Sequence, residues 1–517
     1  MQRLKVIFLA VGIAVGFFQN KNLSAATNSN QFELLGRYYF TGGANLIANT
    51  NAAKLKKIWS LPESGPFGAQ ILQKFSRLAA NFIAPQKNDR NQAASLMEPL
   101  LNDLVRNESR AELRRSAQAT EFLLGIKLSE DRARLWQTNL WKLCSEFSGA
   151  APIGVKEKES WRLKKKQSPL EFHFEQNGPW ILFGWGENPV YRADFLAQIK
   201  MKPSLQASKT NWLEAWIDGP RLQKWLPSLP FKLAQTDIFV SGKADNLRTT
   251  IRAIYPEALQ WKSEPWRIPT NLVRDPLISF TAAQNLAPFL KESKVFERIG
   301  INPFTNQIYF WAQSGIPFQS FLALPVKNST ATFKMLSSRL PAVFNDYLKK
   351  NKSGEIILAT NENEIVWRGL PIVVPYLKTN HDAVGEFLVG GLFPSPPNKN
   401  PPPQELLSQI VGRTNLVYYD WEITQDRLGH WQVLTDMIPF LSNRQKLENK
   451  SEEMRTQQRR QELISQKWAL AVAPLVANTI TEAVLKSPTE LNILRKSPLG
   501  FTGVEIILFA RWLNQLD

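Results

Sequence analysis

"LEAWIDGPRLQKWL", residues 213–226, and "LISFTAAQNLAPFL", residues 277–290, decide the fold when they are read together. Laid side by side without gaps, Leu213 meets Leu277, Trp216 meets Phe280, Leu222 meets Leu286, Trp225 meets Phe289 and Leu226 meets Leu290. The apolar spacing changes within each stretch. Residues 211–217 and 277–283 alternate as strands do. Pro220 and Asn285 then stand where helices begin, proline favouring the first turn and asparagine the N-cap. Leu222, Trp225 and Leu226 lie three and four apart, one face of a short helix. The segments that follow, 237–256 and 307–326, also align, Ile238 with Ile308, Phe239 with Tyr309, Ala253 with Ala323 and Ile254 with Leu324. Each alternates in two halves, with turn residues between them at Gly242–Asn246 and Gln313–Pro317. The unit is a strand, a short helix and a β-hairpin, used twice. Weaker relatives start at Leu182 and Asn415.

The spacing therefore predicts an α+β protein. Duplicated strand–helix–β-hairpin units form antiparallel sheets with helices on one face, between helix-rich N- and C-terminal parts. In the first copy Arg248, Thr250 and Arg252 share one face of the last strand, opposite Leu247, Ile251 and Ala253, so that strand has one wet side. In the second, Phe318, Leu322 and Leu324 predict cover on both sides. Residues 33–148 read as mainly helical, interrupted by a hairpin over "AELRRS" and "EFLLGIKLS". Residues 159–186 read as three strands. A helix is expected over Thr330–Leu348, then strands at 355–360, 364–376 and 386–392. Residues 444–467 read as an exposed charged helix. Trp468–Leu485 reads as a buried core helix, since Pro474, Asn478, Thr479 and Glu482 argue against a membrane span. The last stretch, "LGFTGVEIILFARWLN", should dock back onto the body.

The regions that follow are 1–26, a signal peptide; 27–150, helix-rich; 151–270, with the first unit; 271–393, with the second; 394–403, a Pro-rich loop; and 404–517, strands and helices. The first rests on Arg3 and Lys5, the apolar run Val6–Phe18, and small residues before a cut after Ala26. Lys21 in the cleavage region supports the competing reading, an uncleaved anchor. Cys144 is the single cysteine. No intramolecular disulfide can form, which suits a bacterial periplasm or outer compartment. The net charge of +18 suits polyanionic partners, either anionic envelope polymers or a lipid surface. Nucleic acid is not expected to reach an exported chain, and the mature chain is expected to have no transmembrane span.

No phosphate loop, dinucleotide fingerprint, nucleophile elbow or zinc spacing is present, so no cofactor or metal is expected. Among the three histidines, His173 lies in "EFHFE" and reads as surface, between inward-facing Phe172 and Phe174. His381 precedes Asp382 in a turn, and His430 stands at a strand start. Asp420 and Glu422 are the catalytic candidates, two carboxylates on one face of "YYDWEI" beside Tyr418. Paired carboxylates hydrolyse glycosides when they flank the bond, but a solvent-facing strand edge is the favoured reading of this pair. Asp218 reads as turn or cap chemistry. The 17 tryptophans read as core, with a glycan-binding surface as the alternative.

With "DPLISFTAAQ" and "SPLGFTGVEIILFARWL", the chain resembles large exported proteins of Verrucomicrobia-type bacteria. The resemblance implies an envelope location and carries no activity or site residue. The functional expectation is a non-enzymatic binding or structural component of the cell envelope. The alternative is a carboxylate-dependent hydrolase acting on an envelope or extracellular glycan.

Overall fold

The structure is a computed structural model describing residues 32–83, 89–116, 119–148, 160–164, 170–186, 190–201, 211–225, 232–286, 294–300, 305–314, 319–360, 363–370, 373–393, 400–430, 433 and 452–515. Its centre is an antiparallel sheet of 19 strands. The first group is β1 (Glu33–Phe40), β2 (Ser109–Arg115), β3 (Thr120–Lys127), β4 (Ser160–Lys164), β5 (Glu171–Asn177), β6 (Trp180–Gly186), β7 (Asn211–Asp218), β8 (Gln235–Lys243) and β9 (Asn246–Ile254). The second is β10 (Leu277–Gln284), β11 (Gln307–Gln313), β12 (Ser320–Val326), β13 (Glu355–Leu358), β14 (Glu364–Arg368), β15 (Tyr376–Asp382), β16 (Gly385–Gly391), β17 (Leu416–Ile423), β18 (Asn478–Ser487) and β19 (Glu490–Ser497).

Pairing runs β4-β5-β6-β3-β2-β1-β7-β8-β9 on one side and continues β19-β18-β17-β10-β11-β12-β16-β15-β14-β13 on the other. One wiring scheme serves both sides. β1 sits between β2 and β7 as β10 sits between β11 and β17, and β3 hands over to β6 as β12 does to β16. The sides join where β9 pairs with β19, Thr250 opposite Leu494.

Among the described residues, thirteen α-helical segments decorate the sheet. They are α1 (Gly43–Ala48), α2 (Ala53–Trp59), α3 (Ser64–Ile83), α4 (Arg90–Arg106), α5 (Glu130–Ser148), α6 (Val190–Met201), α7 (Gly219–Trp225), α8 (Lys294–Ile299), α9 (Ser329–Lys350), α10 (Gln404–Ser408), α11 (424–430), α12 (Glu452–Val472) and α13 (Gly503–Asn514). They lie on both faces, which corrects the one-face expectation. The face carrying Tyr38 and Phe40, the first face, is apolar over β1–β9. There it buries Leu213, Val240, Phe122 and Phe174 against α1–α5, α12 and α13. Beyond the β9–β19 seam the apolar side changes over. Phe280, Tyr309, Trp311 and Tyr419 point to the second face and pack on α10 and on Trp266, Ile268 and Val273. On that second face α6 covers Leu123 and Leu182 of the first group. α9 covers Leu388 and Ile365 on the first face of the far end.

α7 starts as Pro220 requires, and Asp218 Oδ1 accepts the Arg221 amide at 3.0 Å, a cap. Asn285 starts no helix. It is buried with φ +68° and Leu286 after it is not helical; Phe289, Leu290 and Phe318 lie outside the described residues. β1 is a strand inside the segment read as helical, because "GRYYF" can pair on both edges. Trp468–Leu485 is not one helix. α12 stops at Val472, Pro474 sits in a 3₁₀ turn, and Thr479, Thr481 and Ala483 alternate in β18. The strand read over 364–376 breaks after Arg368, where Gly369 takes φ +92°. Residues 444–451 and most of the Pro-rich loop lie outside the described residues. α13 docks as expected: Phe75 and Trp512 rings approach to 5.1 Å and a Thr502–Glu505 capping box starts the helix.

Candidate functional site

Between the first face and its helices lies a cavity of about 510 Å³. Its floor is sheet: Phe40 of β1, Val240 of β8 and Leu247 of β9. α2 supplies Leu55, Ile58 and Trp59, and α3 supplies Phe67, Ile71 and Leu72. The end of the chain closes it with Trp468, Leu499, Phe501 and Ile506. Trp468 stacks on Phe67 with centroids 4.1 Å apart, and its Nε1 donates to Ser64 Oγ at 3.1 Å. That pins α12 to α3. Gly65 and Gly68 of α3 also line the space, and a Cβ added at either would meet nothing within 4 Å. A glycine inside a helix costs about 1 kcal/mol against alanine; at Gly68 it widens the void. One wall is polar. Glu98, Asn102 and Arg106 stand four apart along α4, a spacing that puts them on one side of the helix. Arg106 is exposed and Trp59 is 43% exposed, so this end is the mouth. Size and lining match those of small-molecule sites, concave and mostly apolar with few polar groups.

The carboxylate candidates stand elsewhere. β17 is an interior strand between β10 and β18, not an edge, and Glu422 is 3% exposed. The solvent-facing reading fails because the turn into α13 lies over this strand. Glu422 Oε1 accepts the Gly503 amide at 2.6 Å and Thr424 Oγ1 at 2.8 Å, with Arg427 4.0 Å from Oε2. Asp420 Oδ1 accepts Thr281 Oγ1 at 2.6 Å. Burial pushes both carboxyls up, and these hydrogen bonds oppose the shift. Glu422 thus ties β17 to the positive end of α13. Neither carboxylate lines the cavity.

His173 is 7% exposed and not on the surface. Its Nε2 has no hydrogen-bond partner, and burial pushes the ring down to about 3. It leans over β6, where a Cβ at Gly184 would lie 2.8 Å from Nε2. From the other side Glu121, 1% exposed, leans over Gly186 with both carboxylate oxygens unpartnered. Burial pushes Glu121 up to about 7. Sequence reading missed Glu121 because alternation put it on a strand and nothing marked its cover. His381 has Ser329 Oγ 3.4 Å from its Nε2, but Ser329 is fully buried and donates to Glu386 at 2.8 Å. The same Glu386 oxygen accepts the Ser329 amide at 2.6 Å and lies 3.9 Å from His381 Nε2, so the carboxylate mainly holds the helix start, and the serine points to the carboxylate and not to a base, unlike a nucleophile triad. Asp382 Oδ1 accepts the neighbouring Ala383 amide in the turn, and its Oδ2 accepts the distant Asn271 amide at 2.9 Å. His430 lies in α11 and not at a strand start. Cys144 is buried in the core, its thiol pushed up by burial. Trp136, Trp161, Trp212, Trp266 and Trp311 are core. Among the described residues with described side chains, Trp59 alone is an exposed tryptophan. No group of three or more metal-ligating side chains occurs among the described residues. No helix there is long and apolar enough to cross a membrane.

Comparison with family models, curated proteins and solved structures returned no match; the site is read from its own geometry.

Proposed function

We propose that this protein is a non-enzymatic binding protein of the cell envelope that holds an apolar ligand in the cavity under α2, α3 and α4. The observation that carries the reading is the void itself, about 510 Å³ with an apolar lining drawn from both ends of the chain. Well-packed interiors leave few voids larger than a water. The envelope location is supported by the apolar run Val6–Phe18 behind Arg3 and Lys5, and by the +18 charge. The hydrolase alternative has the weaker footing, since Glu422 is occupied by a backbone amide and a hydroxyl.

The test is uptake of a fluorescent apolar probe by the full chain and by Gly68→Phe, which places a ring in the void. Uptake by the wild type and its loss in the variant, at unchanged far-UV dichroism, support the reading. Equal uptake by both refutes it.

We also infer that the chain holds two copies of one module, each made of two strand–helix–hairpin units. Support comes from the shared wiring and from four bulges. β1 is irregular at Leu34/Gly36 against β2, as β10 is at Leu277/Ser279 against β11. β7 is irregular at Asn211/Leu213 against β8, as β17 is at Leu416/Tyr418 against β18. Bulges set register, and on that register Leu213 corresponds to Ser279, not to Leu277. Equivalent strands β9 and β19 then meet at a local two-fold between Thr250 and Leu494. Separate expression of residues 32–270 and 271–517 tests this; recovery of a complex on mixing is expected, and failure of each piece to gain any structure alone or together counts against it.

A further inference from the structure

We propose that the ligand is a single-chain amphiphile with an anionic head of the fatty-acid kind, its head held by Arg106 and its chain running inward against the apolar walls of the sheet, α2 and α3. This rests on the cavity reading and adds the chemistry of the ligand. The volume speaks first. About 510 Å³ is within the range of small-molecule sites and leaves room for one alkyl chain with a compact head.

The charges speak next. Outside α4 the lining is apolar apart from Ser64, whose oxygen already accepts from Trp468. On α4, Glu98 and Arg106 are two turns apart, about 12 Å along the axis. The strip therefore has a cationic end and an anionic end, with Asn102 between. Arg106 is exposed, and no ion pair or side-chain hydrogen bond engages its guanidinium among the described residues. A planar guanidinium with its donors free matches a carboxylate in two-point geometry. Glu98 at the other end repels an anion, which fixes the orientation with the head at Arg106. Trp59 stands at the same mouth, 43% exposed. An indole suits that boundary, its body on the alkyl chain and its edge in water.

The measurement is calorimetric titration of the full chain with dodecanoate, dodecanol and dodecyltrimethylammonium, each below its micelle concentration. Arg106→Gln and Gly68→Phe are run beside the wild type. Dodecanoate should bind at least tenfold tighter than the alcohol, and the ammonium weakest. Arg106→Gln should erase the advantage of dodecanoate and leave the alcohol unchanged. Arg106 is on the surface, so the fold should survive the change. Equal binding of acid and alcohol by the wild type overturns the head assignment while the cavity reading stands. So does undiminished dodecanoate binding by Arg106→Gln. If no probe binds the wild type, both fall together.

Discussion

Replacing Glu121 with Gln should stabilise the protein in alkaline solution and do little in acid. The carboxyl is 1% exposed with neither oxygen hydrogen-bonded. Burial holds it at about 7 against an ordinary 4.5, with Arg114 pulling the other way. The raised value corresponds to about 3 kcal/mol at most. Screening and local relaxation reduce it to about 1–2 kcal/mol. The folded state keeps this proton to higher pH than the unfolded chain does. The favourable contribution is therefore full below pH 4.5 and is lost as pH rises through 7. Glutamine has no proton to lose. In urea unfolding followed by tryptophan fluorescence, the variant should match the wild type at pH 5 to within about 0.5 kcal/mol. At pH 8 it should be the more stable by about 1–2 kcal/mol. A difference that is the same at both pH values would refute the idea that an uncompensated buried charge resides here.

Four further outcomes are expected. His173, held near 3, should make stability fall as pH drops below 6.5, because the unfolded chain takes up a proton that the folded one refuses; His173→Asn should flatten that limb in acid titrations. Trp468→Ala removes the stack on Phe67 and the bond to Ser64 and should cost about 3–5 kcal/mol, read as a lower thermal midpoint with probe uptake lost. Glu422→Ala strands the Gly503 amide, Thr424 and Arg427 and should cost about 2–4 kcal/mol; probe affinity per folded molecule should be unchanged, and a selective loss of affinity would contradict the structural role. Cys144 is buried with its thiol pushed up, so iodoacetamide should label it only on unfolding; rapid native labelling counts against the packing described.

The unit built around residues 213–226 was legible because its signals are local: alternation, then Pro220, then three-and-four spacing. Its register was not, since a bulge at Asn211/Leu213 shifts pairing without marking the sequence. Trp468–Leu485 misled because apolar content said core while Pro474 divided two kinds of core, helix before and strand after. His173 misled differently. Alternation placed it opposite Phe172 and Phe174 correctly, but the second face is also covered, by α6. The cavity could not be read at all. Phe40, Trp59, Val240 and Ile506 share no periodicity, and the helices over that part of the sheet come from two distant places, the long insertion between β1 and β2 and the segment that carries α12 and α13. Asp420 and Glu422 drew attention as a pair, yet their environment depends on Gly503, far along the chain.

The closure of the cavity by residues near the C-terminus also sets a timetable. Chains emerge from the ribosome N-terminal end first, and early segments can condense before later ones exist. Phe40, Leu55 and Phe67 are made early; Trp468, Leu499, Phe501 and Ile506 come last. Until they arrive, an apolar trough over β1, β8 and β9 faces water, and β9 lacks the partner that β19 provides. A half-made chain is thus adhesive, while a finished one has that trough covered down to its mouth. A truncation before Trp468 should therefore burden the cell with a sticky, chaperone-dependent species rather than a milder version of the protein.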